Sequence, residues 1–323
     1  MKLVIQIPCY NEEASLPITL ADLPEQIEGV DRIETLVIDD GSEDRTLKVA
    51  ESMGVDHILP LKYNRGLAYA FSAGIEKCLQ EGADIIVNTD ADNQYKGSDI
   101  QKLIRPILNG KADVVIGDRQ INRISHFSWA KKRMLNTGGW LVRRLVGIEV
   151  RDVVSGFRAY SRDAASRLNV LSEYSYTLEN LIQLKQHKFR IISVPIGTNE
   201  KLRESRLIRS LRSYVASQVS TLLRAYTAYK PLKVFFLLGL FVMAPGLAGV
   251  IRYLYYFFWV GTGKGHVQSL VFSVMFINVG FLIVIFGILA DLIDNNRKLV
   301  EKILYLQKKK EYSEISDRES PSS

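Results

Sequence analysis

Ala83-Asp84-Ile85-Ile86-Val87-Asn88-Thr89-Asp90-Ala91-Asp92 is the stretch of this 323-residue chain that decides its fold. Its first half is mostly apolar and rich in β-branched residues, which predicts a buried strand. Two carboxylates, Asp90 and Asp92, follow where the strand ends, and ligands of open α/β folds bind at the carboxyl edge of the sheet. Mg²⁺ and Mn²⁺ favour a couple of carboxylates plus water and phosphate oxygens. The stretch therefore predicts a metal–diphosphate site, and a solvated acidic turn is the alternative.

Short apolar runs alternate with longer helical stretches over residues 1–195, which is the pattern of an α/β domain. Strands are predicted at residues 3–7, 34–38, 56–59, 83–88, 113–117 and 190–194. Helices are predicted at residues 12–26 and 66–80, between the fourth strand and residue 108, and at 129–146. We expect one α/β domain over residues 1–204.

Composition and charge narrow the class of protein. With 47% hydrophobic residues, the chain has enough apolar material for one large core plus further segments. Cys9 and Cys78 are the only cysteines, and they fit a reducing compartment. The formal charge is +7, and basic residues gather at 201–233 and 297–310, beside long apolar runs. Nucleic-acid binding is one interpretation of such clusters, but their position favours proximity to a membrane.

Residues 205–230 are predicted to form a basic amphipathic helix, because apolar residues recur there at helical spacing with arginines among them. Such a helix suits an anionic membrane surface. A packing helix with a solvated basic face is the alternative.

Residues 232–259 and 267–292 are two apolar runs, each long enough to cross a bilayer as a helix, which takes roughly 20 residues. A short glycine-rich turn joins them, so residues 231–296 are predicted to form a transmembrane hairpin. Positive charges flank its open end, and the positive-inside rule places both termini and the α/β domain in the cytoplasm, at an inner or plasma membrane. Residues 297–323 are expected to be a basic tail that is disordered after Tyr312.

Three further polar motifs belong to the α/β part. Ile7-Pro8-Cys9-Tyr10-Asn11-Glu12-Glu13 ends the first strand, and Val37-Ile38-Asp39-Asp40-Gly41-Ser42 ends the second. Asp152-Val153-Val154-Ser155-Gly156-Phe157-Arg158 brings an acid, a hydroxyl, a glycine and a guanidinium within one turn. Ordinary strand-to-helix and Asp-Gly turns are the alternatives for the first two.

Together these motifs resemble glycosyltransferase family 2, which has the nucleotide-sugar-binding GT-A fold. The resemblance covers residues 1–206 and includes Asn64-Arg65-Gly66 with Gly74. Ser155-Gly156-Phe157-Arg158 and the terminal hairpin point to the polyprenyl-phosphate glycosyltransferases, a group that includes bactoprenol glucosyltransferases and dolichyl-phosphate mannose synthases.

The resemblance implies a role for each matching residue. Nucleotide-sugar binding is expected from Pro8, Tyr10, Glu12, Asp39 and Asp90. A divalent metal, Mg²⁺ or Mn²⁺, is expected on Asp90, Asp92 and Gln94. Arg119 and Asp152 are the expected catalytic residues, with Asp152 either a base or a group that orients Arg158 or a helix end. Contact with the acceptor phosphate is expected from Arg133, Thr137, Ser155, Arg158, Arg203 and Arg206.

The expected activity is the inverting transfer of a hexose onto polyprenyl phosphate. Glucose from UDP-glucose, and undecaprenyl phosphate as acceptor, are chosen by the resemblance alone. The partners are then a nucleotide sugar, a polyprenyl lipid and the membrane, without nucleic acid, and a homo-oligomer is left open. A transferase acting on a sugar or lipid hydroxyl and an inactive membrane scaffold are the alternatives. Glu179-Asn180 stands where hydroxyl-glycosylating relatives often have a Glu-Asp pair, which favours a phosphate acceptor.

Overall fold

The strands of the chain assemble into one mixed sheet. The computed structural model describes residues 1–120, 133, 139–140, 143–169, 176–199, 231–261 and 267–319. Seven strands form the sheet: β1 (Lys2–Cys9), β2 (Arg32–Asp39), β3 (His57–Pro60), β4 (Ile85–Asn88), β5 (Val114–Asp118), β6 (Arg158–Ser161) and β7 (Ile191–Pro195). Their order is β3-β2-β1-β4-β6-β5-β7. Only β6 runs antiparallel to its neighbours, β4 and β5.

Helices flank the sheet in chain order. They are α1 (Leu16–Ala21), α2 (Thr46–Ser52), α3 (Leu67–Gln80), α4 (Ile100–Leu108), α5 (Arg162–Ser166) and α6 (Tyr176–Gln186). The longest of these, α3, buries an apolar face that includes Phe71 and Ile75. At Gly74 a Cβ would lie 2.5 Å from Gln6 Oε1, so this glycine lets α3 approach the sheet closely.

The six predicted strands are confirmed, each within two residues of its predicted bounds. Helix α1 is shorter than the predicted 12–26, because the motif before it continues as a loop to Ser15. Strand β6 was not predicted: it has four residues, and it directly follows the Asp152–Arg158 motif. The predicted helix at 129–146 lies largely outside the described residues, and that at 205–230 does so entirely.

Chain contacts divide the molecule into two units, Met1–Val219 with Leu304–Ser323, and Ser220–Ile303. The second contains α7 (Pro231–Tyr255), which continues as a π-helical turn, and most of α8 (Val267–Glu319). Both helices are long and apolar enough to cross a membrane, in agreement with the predicted spans.

Glycines bring the two apolar helices close together. A Cβ at Gly239 would lie 2.6 Å from Val284 Cγ2, and one at Gly246 would lie 2.6 Å from the Ser273 carbonyl oxygen. Close approach at small residues is typical of helix pairs in membranes, where van der Waals packing drives association.

Helix α8 corrects the prediction of a disordered tail, because it continues to Glu319. Asp294 pairs with Arg297 and Lys298, each at 2.6 Å, and such i,i+3 and i,i+4 pairs stabilise a helix. Further along, the Tyr305 hydroxyl donates to Asp163 of α5 at 2.7 Å. This contact anchors the helix to α5 before Tyr312.

Candidate active site

The carboxyl ends of β1, β2 and β4 meet at one edge of the sheet. Cys9 of β1 lies opposite Asp39 of β2, and Gln6 lies opposite Asn88 of β4. Because these strands are parallel, the loops that follow them emerge side by side. The polar motifs that follow β1, β2 and β4 therefore share one edge of the sheet.

The loop after β1 is folded against the loop after β2. Glu12 is 7% exposed, accepts from the Ser15 hydroxyl, and its main-chain nitrogen donates to Thr46 Oγ1 at 2.8 Å. Tyr10 is exposed at the edge, whereas Pro8 is buried within β1. Glu12 and Tyr10 thus present a carboxylate and an aromatic ring on a loop with fixed geometry.

Asp39 and Asp40, the last residue of β2 and the one after it, make different contacts. Asp39 is 5% exposed, and its Oδ1 accepts from the Ser42 main-chain nitrogen at 3.4 Å. Asp40 accepts from the main-chain nitrogens of Arg65 and Gly66 at 2.8 and 2.9 Å. Burial raises the pKa of Asp40 despite these hydrogen bonds. Asp40 therefore anchors the loop before α3, and Asp39 is the carboxylate that remains for a ligand.

Asp90 and Asp92 lie directly beyond β4. Burial and the neighbouring charge of Asp92 raise the pKa of Asp90 to about 7. Gln94 Nε2 donates to Asp92 Oδ2 at 2.6 Å, so the side chain of Gln94 holds Asp92 in place. Among the described residues, no group of three or more histidine, cysteine or acidic side chains is arranged to hold a metal ion.

The residues at this edge fit a divalent cation. Two adjacent carboxylates, one with its pKa raised to about 7, carry negative charge that burial disfavours and that a cation would offset. Mg²⁺ commonly binds one or two carboxylates and takes its other ligands from water and substrate phosphates. Asp90 and Asp92 supply that set, provided that a diphosphate is bound beside them.

Mn²⁺ affinity is expected to rise with pH because Asp90 must lose its proton to act as a ligand. With a pKa of about 7, the carboxyl is mostly protonated at pH 6 and mostly ionised at pH 8, which corresponds to about a tenfold gain in apparent affinity. Titration of free Mn²⁺ by electron paramagnetic resonance at both pH values measures this gain. Equal affinity at the two values would contradict the prediction.

Asp152, which is fully buried, forms an ion pair with Arg119, whose side chain is 14% exposed. Arg119 Nε lies 2.6 Å from Asp152 Oδ2, and Nη2 lies 3.0 Å from Oδ1. Burial disfavours the guanidinium charge, but Asp152 outweighs this effect and the pKa of Arg119 is raised. Asp152 was expected to be a base or to orient Arg158 or a helix end, whereas the structure pairs it with Arg119, a partner that the sequence did not predict. Both carboxylate oxygens of Asp152 are thus engaged by one guanidinium.

Arg158 and Ser155 do not lie where an acceptor phosphate can reach them. Arg158 is fully buried, and its guanidinium donates to the carbonyls of Val153, Ser155 and Thr177, each at 2.8 Å. Ser155 is fully buried as well. Arg158 therefore ties the Asp152–Arg158 loop to the start of α6, and the phosphate-binding role expected for both residues is withdrawn.

The remaining expected acceptor residues are only partly described. Arg133 is helical and exposed. Thr137, Arg203 and Arg206 lie outside the described residues.

The segment after β7 is hydrogen-bonded to the loop that follows β4. Thr198 forms an antiparallel bridge with Tyr95, and the Asn199 main-chain nitrogen donates to the Gln94 carbonyl at 3.0 Å. Gly197 donates to Asp99 Oδ2 at 2.6 Å. These contacts link residues distant in sequence, and no local pattern predicts them.

Gly156 has a role that the sequence did not reveal. A Cβ at this position would lie 2.9 Å from Asp90 Oδ1. The motif showed a glycine, but only the fold brings it against the carboxylate of Asp90.

Comparison with known proteins identifies the family. The family model described as glycosyl transferase family 2 matches residues 4–168, just over half of the chain. The protein belongs to glycosyltransferase family 2.

Two relatives extend the match. Undecaprenyl-phosphate mannosyltransferase from Micrococcus luteus is 29% identical over 218 residues, covering 64% of this chain and 88% of the relative. UDP-N-acetylglucosamine–dolichyl-phosphate N-acetylglucosaminyltransferase from Methanococcus voltae is 33% identical over 216 residues, covering 59% and 83%.

A solved structure shares the fold. Glucosyl-3-phosphoglycerate synthase from Mycobacterium tuberculosis, crystallised with Mn²⁺, UDP and phosphoglyceric acid, superposes with a TM-score of 0.55 and 21% identity. The match covers 70% of this chain and 78% of the synthase, and it establishes a GT-A fold for the α/β part.

Proposed function

We propose that this protein is a membrane-anchored, inverting glycosyltransferase that moves a hexose from a nucleoside diphosphate sugar to a polyprenyl phosphate. The observation that carries the proposal is that the Arg119 guanidinium binds both carboxylate oxygens of Asp152. This ion pair accompanies Asp90 and Asp92 at the carboxyl edge of the sheet. It leaves Asp152 poorly suited to deprotonate a hydroxyl, and a phosphate acceptor needs no such base. Relatives named for transfer to undecaprenyl and dolichyl phosphate support this acceptor class.

The donor is assigned to the edge formed by β1, β2 and β4. Tyr10, Glu12 and Asp39, with Pro8 behind them, would hold the nucleoside. Asp90 and Asp92, with Gln94 holding Asp92, would bind the divalent cation. Such a cation offsets the negative charge that develops on a leaving diphosphate.

The acceptor would attack without general-base help. A phosphate monoester has its second pKa near ~6, so it is largely a dianion at neutral pH. One of its oxygens forms the new bond to the anomeric carbon as the bond from that carbon to the diphosphate breaks, and the configuration inverts. Positioning and charge neutralisation then dominate catalysis. Arg119 is the cation that the ion pair holds at the site, and Arg133, Thr137, Arg203 and Arg206 remain the proposed acceptor contacts.

Two alternatives differ in what they require at the site. A hydroxyl acceptor would need a free base, whereas Asn180, which follows Glu179, is an amide and fully buried. An inactive scaffold would not need to keep Asp39, Asp90, Asp92 and Asp152 together. The geometry favours the phosphate acceptor over both.

The proposal is tested with purified full-length protein and undecaprenyl phosphate, with and without Mn²⁺. Labelled nucleoside diphosphate glucose, mannose and N-acetylglucosamine are supplied in parallel, and we expect the UDP-glucose reaction to be fastest. Metal-dependent formation of a sugar phosphate lipid with inverted anomeric coupling supports the proposal. Transfer only to a hydroxyl acceptor, or retention of configuration, would contradict it.

Sidedness gives a separate prediction. Cys9 and Cys78 are both buried, so a cysteine introduced at the surface should dominate labelling by a membrane-impermeant maleimide. In intact cells Lys264→Cys, which stands between the two spans in the sequence, should be labelled, whereas Ser313→Cys should be labelled only after lysis. The reverse pattern would place the α/β domain on the other side of the membrane.

A further inference from the structure

A network of hydrogen bonds joins the loop after β1 to the segment after β2. Three successive main-chain N–H groups of the first loop donate to three side chains of the second segment. Those of Asn11, Glu12 and Glu13 donate to Ser42 Oγ at 2.9 Å, Thr46 Oγ1 at 2.8 Å and Asp44 Oδ2 at 3.2 Å, respectively. The main chain of the loop after β1 is therefore held by side chains that lie more than 30 residues further along the chain.

Hydrogen bonds in the opposite direction complete the network. The main-chain nitrogens of Glu43 and Arg45 donate to Asn11 Oδ1 at 2.8 Å and to Glu13 Oε2 at 3.1 Å. Asn11 has a φ of 54°, in the left-handed region, which asparagine tolerates better than most residues. The chain thus turns directly after Tyr10, and the network holds this turn in place.

Thr46, the first residue of α2, is the most buried residue of the network. Its hydroxyl accepts from the Glu12 N–H and donates to Asp44 Oδ1, which also accepts from the Thr46 main-chain nitrogen at 2.9 Å. The hydrogen bond between Glu12 and Thr46 is buried. Loss of the hydroxyl would leave a buried N–H without its acceptor, which destabilises this conformation of the loop.

We propose that Thr46 and Asp44 are positioning residues for the nucleoside diphosphate, which fix the loop that presents Tyr10 and Glu12 and do not themselves contact the nucleotide. The inference rests on the proposed nucleotide site. When only a fraction of the molecules holds a loop in its binding conformation, the apparent Kd rises by the inverse of that fraction. The network therefore acts on the affinity for the donor, and the transfer step that follows donor binding is unchanged.

Thr46→Val in the full-length protein tests the proposal, because it removes the hydroxyl and keeps the branched shape. Thr46→Ser keeps the hydroxyl and should bind nucleotide as wild type does. Thr35→Val is the matched control, since it removes a threonine hydroxyl that donates to Asp56 at 3.0 Å, towards the other end of β2.

UDP and GDP are titrated by calorimetry at saturating Mn²⁺, at a temperature well below the measured melting temperature of every variant. For the nucleotide that wild type binds more tightly, we expect the Kd of Thr46→Val to rise about tenfold, as loss of one buried hydrogen bond implies. The Kd of Thr35→Val should stay at the wild-type value.

A second variant and steady-state kinetics separate positioning from a structural role. Asp44 accepts hydrogen bonds through both carboxylate oxygens, so the amide of Asp44→Asn must lose at least one of them and should raise the Kd as well. In Thr46→Val the KM for the donor should rise while kcat at saturating donor is unchanged, whereas a general defect in folding would lower kcat.

A wild-type Kd in Thr46→Val or Asp44→Asn, or an equal rise in Thr35→Val, overturns the inference. Absence of UDP and GDP binding by wild type overturns it too. Binding of nucleotide without transfer to undecaprenyl phosphate counts against the proposed function alone, because the calorimetric comparison needs no acceptor.

Discussion

Asp90→Asn should lower the rate of sugar transfer by about a hundred- to a thousandfold, the range found when one electrostatic contribution to a transition state is lost. The amide keeps the shape of the side chain but removes one of the two carboxylates that a divalent cation would bind. Initial rates with labelled donor and an Mn²⁺ titration measure the loss. Transfer at the wild-type rate, with an unchanged Mn²⁺ requirement, would contradict the assignment of Asp90 to the metal.

The stability of Asp90→Asn distinguishes loss of function from loss of fold. The pKa of Asp90 is raised to about 7, so its contribution to stability is present below the pKa of the unfolded chain and is lost as pH rises through 7. At pH 8 without metal, the neutral amide should therefore unfold at the same temperature as wild type or a higher one. Asp113→Asn is the control, since Asp113 pairs with Arg190 at 3.3 Å before β5, away from the site.

Asp152→Asn should destabilise the protein by about 3 kcal/mol or more, because it leaves Arg119 buried without its partner. Transfer should also fall, but the shape of its pH dependence should not change, because Asp152 orients a cation and does not accept a proton. Chemical unfolding and a pH–rate profile measure the two effects. Disappearance of one limb of the profile would indicate instead that Asp152 is a base.

A double-mutant cycle tests whether Arg119 and Asp152 act as one unit. Arg119→Gln should lower the free energy of unfolding by a similar amount. The double variant should lower it by less than the sum of the two single variants, with a coupling energy between the residues of about 1–3 kcal/mol. Arg190→Gln serves as the control, because its exposed pair with Asp113 is expected to contribute less than about 1 kcal/mol. If the losses of stability caused by the Arg119 and Asp152 substitutions were additive, the ion pair would not contribute to the stability of the fold.

The parts of the fold that depend on local pattern were predictable. The strand that ends at Asn88 begins with the apolar run Ile85-Ile86-Val87, and this is why its end and the acidic pair after it were placed correctly. The second membrane span, predicted to begin at residue 267, could be recognised equally well. A long run of uncharged apolar residues identifies such a span without any knowledge of tertiary contacts.

Features that depend on distant contacts were not predictable. Arg158 was expected at a phosphate because a guanidinium near an acid is commonly exposed, yet it is satisfied by three carbonyls that only the folded loop and α6 bring together. Gly156 gave no signal of its own, because only the folded chain brings it against the carboxylate of Asp90. The helix beyond Tyr312 likewise forms in a stretch whose composition is polar.

The strand order has a consequence for how the site is made. Strand β4, which carries the acidic pair, is hydrogen-bonded on one side to β1 and on the other to β6, which ends at Ser161. While the chain is being synthesised, β4 therefore stays an open, mostly apolar edge until about half of the protein has left the ribosome. Such an edge can pair with other chains, and the long-range closure by β6 is slow by topology. Aggregation is thus most favourable during the time after β4 has been synthesised and before β6 pairs with it. Fragments that end before β6 should therefore be insoluble.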